Sequence, residues 1–529
     1  AILHSTAAPG EAPTRAQIHT TEQTAVLPSG ISGVPRSKGF DKRLILAPLA
    51  LAVIVAGGLI GYRYLSSETS QIDSIAVLPF QNVGGDPNFE YLSDGIAESL
   101  INSLTQIQQL KVIARNTAFR YKGKDVDAEQ VGRDLSVRAV LTGRVRQVGD
   151  RLNIQVDLVD AVTGAQLWGE EYDRSAADAL SIKQAIAREI TDKLRLRLSG
   201  EQQQQMNARE TTNSQAYQFY LRGRFYWNQR SIEGIKRAIA EFQQAVDRDP
   251  NYALGYVGLA DSYLLLEEYA GTPTSETLPK ARAAVDRALQ IDDSLAEAHT
   301  SLAFIHQKQW RWAESEQEFR KAIALNPNYP TTHHWFSIHF RVKRQFDESL
   351  RHIKRAQELD PLSPVISSNV AQIYFIKGDI DAAIGQFEKI IELNPNYSGA
   401  YSNLGIARLM QGRHEEGIAL IEKAVMLSGR AGNLLGDLGY SYAVAGQRSE
   451  ALQILKELED RYARRETIGA YLARIYMGLG DHDKAFEWLE KDFGQRSGLL
   501  PIITSLPQFD NLRSDPRYTD LVRRMNLAE

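Results

Sequence analysis

Two acidic residues one helical turn apart are the first side chains whose types and spacing could do chemistry. Asp94 and Glu98 lie in "FEYLSDGIAESLINSLTQI", where apolar residues recur at helical spacing. Such a pair could act as general acid and general base. No candidate nucleophile lies nearby, and i,i+4 carboxylates usually mark a solvated helix face, which is what we predict. Gly84-Gly85 ahead of this helix predicts a turn, because the spacing of a phosphate-binding loop is absent.

The tripeptide Asp492-Phe493-Gly494 matches the magnesium-binding motif of protein kinases. The HRD motif, glycine-rich loop and V-A-I-K strand that accompany it in kinases do not occur in this sequence. Asp492 falls instead at a repeat position where its equivalents are mostly alanine. We therefore interpret the tripeptide as the frayed end of a helix with Gly494 as its stop, and predict no catalytic residue.

Several histidines between residues 299 and 339 could suggest a metal site. His299 and His333 occupy the same repeat position, 34 residues apart, and His306 aligns with Tyr263 and Tyr374. These are packing positions, so we predict core histidines, with no metal and no cofactor. The chain has no cysteine, which excludes disulfides, thiol nucleophiles and cysteine-based zinc sites.

A 34-residue period is the strongest pattern in the chain. Pro327, Pro361 and Pro395 each follow an amphipathic helix at this spacing, which is typical of tetratricopeptide repeats. We predict eight such repeats over residues 219–499, followed by a C-terminal cap at 500–529. The second repeat carries nine extra residues, which we place in a loop near Gly271. Such repeats stack into an all-α superhelix whose concave face is lined by the first helix of each pair.

Candidate binding residues lie on these first helices. Asn369 and Asn403 are equivalent positions one repeat apart, and in peptide-binding repeats of this type such asparagines bond the backbone of an extended ligand. Trp227, His334 and Arg341 are weaker candidates for the same groove. The alternative for the asparagines is that they cap or solvate a helix surface.

Residues 72–198 predict a small α/β domain, and residues 199–218 a linker. "SIAVLPF" predicts a buried strand, and two alternating strands around Gly149-Asp150 predict a hairpin. The segments "IAVLPFQNVGGDPNFEYLSDGIAESLINSL" and "VGRDLSVRAVLTGRVRQVGDRLNIQVDLVDAVTGAQLWGEEYDR" resemble the TolB amino-terminal-like domain. This resemblance implies a non-catalytic binding or sensing module.

An uncharged run, residues 44–62, is of the length that crosses a bilayer as one helix, after a flexible linker at 1–43. Basic residues concentrate before it, which predicts a single-pass inner-membrane protein with a cytoplasmic N-terminus and residues 66–529 in the periplasm. The fold class predicted is thus multidomain: a transmembrane helix, a TolB-like α/β domain and a tetratricopeptide superhelix.

The domain order resembles the extracytoplasmic half of bacterial membrane Ser/Thr protein kinases, with the kinase domain outside this chain. It implies a non-enzymatic interaction or sensor region that binds a protein or peptide and that can self-associate. The alternatives are a constitutive scaffold, or the tail of an adenylate cyclase or winged-helix regulator. The net charge, 61 − 65 = −4 without a long basic run, argues against nucleic acid as a partner.

Overall fold

A mixed β-sheet with packed helices precedes a long series of paired helices. The computed structural model describes residues 72–194 and 211–527. The chain divides into Ala1–Ser70 and Gln71–Glu529, and both described ranges belong to the second of these units. Contacts between the sheet and the paired helices are therefore contacts within one unit.

The sheet has the strand order β3-β1-β4-β5-β6, with the short β2 paired to β4. Its strands are β1 (Ser74–Val77), β2 (Gln81–Asn82), β3 (Lys111–Val112), β4 (Ala139–Val148), β5 (Arg151–Asp160) and β6 (Gln166–Ser175). The pairs β1–β3 and β1–β4 are parallel, and β4–β5 and β5–β6 are antiparallel. Gly149 turns the β4–β5 hairpin at φ 60°, where a side chain would be strained. The predicted buried strand and hairpin are both present.

Helices cover this sheet and connect its strands. They are α1 (Glu90–Leu104), α2 (Arg115–Ala118), α3 (Ala128–Leu135) and α4 (Ala179–Lys193). The helical apolar stripe predicted for α1 is buried at Leu92, Ile96, Leu100 and Leu104. The same apolar core continues from the sheet into the first paired helices, as far as Phe340. Burial of shared apolar surface therefore holds the sheet and the helices together.

Paired helices fill residues 214–494 of the described chain. Their bounds are α5 (Ser214–Trp227), α6 (Ile232–Arg248), α7 (Ala253–Ala270), α8 (Thr274–Ile291), α9 (Ala296–Lys308), α10 (Trp312–Leu325), α11 (Pro330–Val342), α12 (Phe346–Leu359), α13 (Pro364–Ile376), α14 (Ile380–Leu393), α15 (Ser398–Met410), α16 (His414–Leu427), α17 (Gly432–Val444), α18 (Arg448–Ala463), α19 (Gly469–Gly478) and α20 (His482–Gly494). A left-handed residue turns the chain inside the pairs at positions 310, 344, 378, 412, 446 and 480, a 34-residue spacing. The repeated pair is thus one local structure used again and again.

The nine extra residues of the second repeat lengthen its helices. Both α7 and α8 have 18 residues, whereas α9 has 13 and α10 has 14, so the gains of five and four account for the nine. The turn between α7 and α8 comprises only Gly271–Pro273, with Gly271 at φ 67° against the backbone of Glu466. The predicted insertion loop is therefore wrong, and the residues extend a helix pair toward the last repeat.

The chain after α20 returns to the early repeats. It contains α21 (Leu500–Thr504) and α22 (Pro516–Arg524). The Trp312 indole donates a hydrogen bond to the carbonyl oxygen of Met525 at 2.8 Å, and the rings of Trp310 and Phe493 stack with centroids 5.1 Å apart. The C-terminal segment therefore covers the last repeat and also joins it to the third one.

The structure corrects the predicted fold class and localisation. Within residues 72–194 and 211–527, no helix combines the length and apolar character needed to cross a bilayer. This finding conflicts with a transmembrane helix as a fold component and with the single-pass inner-membrane assignment. Residues 44–62, to which the span and the bilayer contact were assigned, lie outside the described residues.

Candidate peptide-binding surface

Five polar side chains on successive first helices form a hydrogen-bonded series, which we call the inner ladder: Arg341, Ser368, Asn369, Gln372 and Asn403. Arg341 Nη1 on α11 donates to the amide oxygens of Asn369 (3.0 Å) and Gln372 (2.5 Å) on α13. Gln372 Nε2 donates to Asn403 Oδ1 on α15 at 3.4 Å, and Asn403 Nδ2 donates to Ser368 Oγ at 3.2 Å. The ladder therefore crosses three repeats on the face that first helices line.

Helix geometry explains why these residues meet. Asn369 and Asn403 are 34 residues apart and so occupy the same position in consecutive repeats. Gln372 lies three residues after Asn369, on the same face of α13. Both asparagines and Gln372 are only partly buried, so their amides keep hydrogen-bonding capacity toward solvent.

Arg341 is the charged member of the ladder. It is 4% exposed, and both of its hydrogen bonds go to neutral amides. Its buried Nε has no hydrogen-bond partner in the described part of the chain. Burial lowers the pKa of Arg341 to about 10, with no acidic neighbour to oppose that effect. A buried cation without a counter-charge is costly, so this position needs an explanation.

His334 lies two helical turns before Arg341 on α11. Burial, Arg341 and Arg230 together lower the pKa of His334 to about 3, so the ring is neutral at pH 7. Its buried Nε2 also has no hydrogen-bond partner among the described residues. The influence of Arg230, which follows α5, shows that the first repeat faces this part of α11. His334 therefore adjoins the ladder without bonding to it.

Trp227 lies apart from the ladder, at the end of α5. It is 6% exposed, and the guanidinium groups of Arg230 and Arg224 lie 3.6 and 4.5 Å from its ring centroid. The structure thus brings together three of the five predicted binding residues, Arg341, Asn369 and Asn403. Sequence reasoning missed Gln372 and Ser368; the i+3 spacing of Gln372 from Asn369 was the available signal.

Asp492, of the kinase-like tripeptide, has a structural role. Its buried carboxylate accepts hydrogen bonds from the backbone N–H groups of Gly469 and Ala470, both at 2.7 Å. These donors belong to the first turn of α19, whose N–H groups lack partners within the helix. The residue is therefore a buried cap, and its prediction as part of a frayed helix end is wrong.

The solvated face predicted for Asp94 and Glu98 is also wrong, since both are buried. Glu98 pairs with Arg115 at 2.8 Å and with Arg224 of α5 at 2.6 Å. These two cations lower the pKa of Glu98 against the opposing effect of its burial. Asp94 pairs with Lys122 at 2.6 Å. With their charges satisfied by structural partners, these carboxylates join elements together.

Further contacts fix the sheet to the repeats at the residues that end second helices. Asp360 Oδ1 accepts from Thr117 N at 3.0 Å and from Thr117 Oγ1 at 2.7 Å, and Oδ2 accepts from Asn116 at 2.9 Å. One repeat later, Arg120 Nη1 donates to Asn394 Oδ1 at 2.6 Å. The positions read as helix terminators thus also hold the sheet in place.

Small cavities and metal sites were sought in the same described ranges. A cavity of about 60 Å³ between α1 and the first repeats is lined by Asn102, Arg224, Asp261 and Glu297, among others. That volume holds a few water molecules. Among the described residues, no three His, Asp or Glu side chains are grouped as metal ligands. His299, His306 and His333 are buried, as the packing interpretation expected.

Comparison with known proteins identifies both parts of the unit by similarity. Tetratricopeptide repeat models match residues 296–329 and 472–491, and a TPR repeat model matches 371–412. Residues 70–192, where the sequence resembles the TolB amino-terminal domain, match instead the second domain of the HilA/YgeH-like transcriptional regulators. The repeats are thus confirmed, whereas the finer TolB assignment is not.

One curated relative and two solved structures illustrate these similarities. "Putative adenylate cyclase 3" of Rhizobium meliloti (strain 1021) is 34% identical over 232 residues, which are 44% of this chain and 39% of the relative. Pseudomonas aeruginosa PilF is 20% identical, with a TM-score of 0.32 over 41% of this chain and 94% of its own. Cut9 in its complex with Hcn1 is 13% identical, with a TM-score of 0.42 over 66% and 63%. Scores this low carry no functional conclusion; what the matches establish is that this chain contains tetratricopeptide repeats.

Proposed function

We propose that this chain is a non-catalytic protein-interaction region of a bacterial regulatory protein, and that the inner ladder binds an extended peptide segment of a partner. The observation that carries the proposal is the series of half-buried amides at Asn369, Gln372 and Asn403, bonded across consecutive first helices. An extended peptide presents one N–H and one C=O per residue, and side-chain amides can bond both.

The names of similar proteins favour two of the predicted parent classes. The matched relative is named as an adenylate cyclase, and the matched domain model belongs to transcriptional regulators. We therefore propose that the whole protein joins this region to a cyclase or DNA-binding domain, in preference to a kinase. The region 72–194 and the repeats would then form the part that recognises the partner.

A constitutive scaffold is the second candidate. It is favoured by the buried bonds of Asp360 to Thr117 and of Glu98 to Arg224, which hold the sheet against the repeats. A scaffold built this way would present a fixed surface and would need no peptide in the ladder.

A random dodecapeptide library displayed with free and with blocked C-termini tests the peptide-binding proposal on the whole chain. We expect enriched peptides whose affinity falls about thirtyfold in the Asn369→Ala/Asn403→Ala variant, since two hydrogen bonds contribute about 2 kcal/mol. Asn396→Ala, at an exposed position of the same repeats, is the matched control and should keep full affinity. Failure to enrich any peptide, or equal affinity in all three proteins, would favour the scaffold.

A further inference from the structure

The fold does not require a cation at position 341. The equivalent residues 34 earlier and 34 and 68 later are Gln307, Phe375 and Leu409, and all three are buried. Neutral side chains therefore pack well at this position of the first helix. An arginine here carries a desolvation cost that its neutral equivalents avoid.

The partners of Arg341 hold the guanidinium without neutralising it. Asn369 and Gln372 both bond Nη1, whereas Nη2 takes no hydrogen bond in the described part of the chain. Amide oxygens orient a guanidinium but supply no negative charge. The donor fork of Arg341 is thus positioned with unused hydrogen-bonding capacity.

The surroundings of Arg341 add further positive potential. Arg230 lies close enough to contribute to the lowered pKa of His334 and stacks on Trp227 without an ion pair in the described chain. His334 is neutral at pH 7, so it neither repels an anion nor attracts a cation. Glu268 is the acidic group on this side; its side chain is exposed, and it influences Arg230 but not Arg341.

We infer that the peptide ligand carries a carboxylate that pairs with Arg341, while Asn369 and Gln372 position the guanidinium and Asn403 bonds the adjoining backbone. The inference rests on the proposed peptide binding and specifies its chemistry. A guanidinium binds a carboxylate through two parallel N–H···O bonds, which explains why this repeat has arginine and not lysine. The carboxylate can come from an Asp or Glu side chain or from the C-terminus of the ligand.

The same displayed library distinguishes these sources. We expect wild-type selections to enrich Asp or Glu at one fixed position, or to succeed only with free C-termini. Replacing that carboxylate by the amide, as Glu→Gln or as a C-terminal amide, should weaken a selected peptide about tenfold in wild type. In Arg341→Gln the acid and amide peptides should bind equally. Arg344→Gln, which removes an exposed arginine after the same helix, should retain the tenfold difference.

Stability separates a binding role from a structural one. Because Arg341 lacks a counter-charge, Arg341→Gln should unfold at a urea concentration no lower than wild type. Arg341→Lys should keep part of the preference for the acid. If wild type binds peptides without preferring acids, or if Arg341→Gln keeps the tenfold difference, the carboxylate inference is wrong although peptide binding stands. If no peptide binds wild type, both proposals fail.

Discussion

Three buried histidines make the middle repeats sensitive to acid. His333, His339 and His352 surround Phe336 and are at most 6% exposed. Burial lowers the pKa values of His333 and His339 to about 4 and that of His352 to about 3, from an ordinary value of 6.5. The unfolded chain therefore takes up protons below pH 6.5 that the folded chain does not. The stabilisation is complete above that pH and is lost as pH falls toward 4.

The expected loss follows from these pKa values. Between pH 7.5 and 5.5, each histidine costs about 1.3 kcal/mol of unfolding free energy, hence about 4 kcal/mol for three. Asp492 and Asp261 act in the opposite direction, because burial raises their pKa values to about 7 and about 6. The net change is therefore smaller than the histidine contribution, and a variant is needed to isolate it.

His352→Met isolates one histidine. Methionine has a similar volume and packs well against Phe336 and Phe340, whose ring centroids lie 4.4 and 5.5 Å from that of His352. Urea denaturation at pH 7.5 and 5.5 should show a pH-dependent loss about 1.3 kcal/mol smaller than in wild type. Ile353→Met changes the neighbouring buried residue without removing a titrating group, and should keep the wild-type difference. Equal pH differences in all three proteins would refute the reasoning.

Two further predictions concern buried charges that join distant elements. Asp360→Ala leaves the buried Thr117 N–H without its acceptor and should lower the unfolding free energy by about 2–3 kcal/mol in urea titrations, whereas Asp360→Asn, which keeps one acceptor oxygen, should cost less; equal losses would contradict this account. Glu267→Gln leaves the buried ammonium of Lys308, 2.7 Å away, without its counter-charge and should cost about 3 kcal/mol, measured by the same titration. The double variant Glu267→Met/Lys308→Met should recover most of that loss, and a larger loss in the double variant would show that the pair itself is stabilising.

Local pattern was sufficient to predict the repeats. A helix buries residues at 3.6-residue spacing, and a pair of helices with its turns repeats every 34 residues, so both signals lie within short stretches of sequence. Asn369 and Asn403 could be assigned to one face for the same reason. The predicted repeat boundaries, and the binding role of these residues, stay predictions.

Patterns failed where a residue's partner lies far along the chain. The insertion near Gly271 looked like a loop because Gly, Pro and Thr are common in turns, yet it extends two helices that reach Glu466. Asp492 looked dispensable beside its alanine equivalents until Gly469 and Ala470 proved to be its donors. The membrane assignment rested on apolar length alone, and the described helices conflict with it.

The sequence by itself determined the helical repeat and the positions its first helices share, because periodicity is a property of neighbouring residues. Only the tertiary structure decided which charges are buried and whether they are paired. Glu98 is stabilised by Arg224, 126 residues later, whereas Arg341 is surrounded by neutral amides. The physical reason is that burying a charge is costly unless a partner is supplied, and that partner can come from any part of the chain.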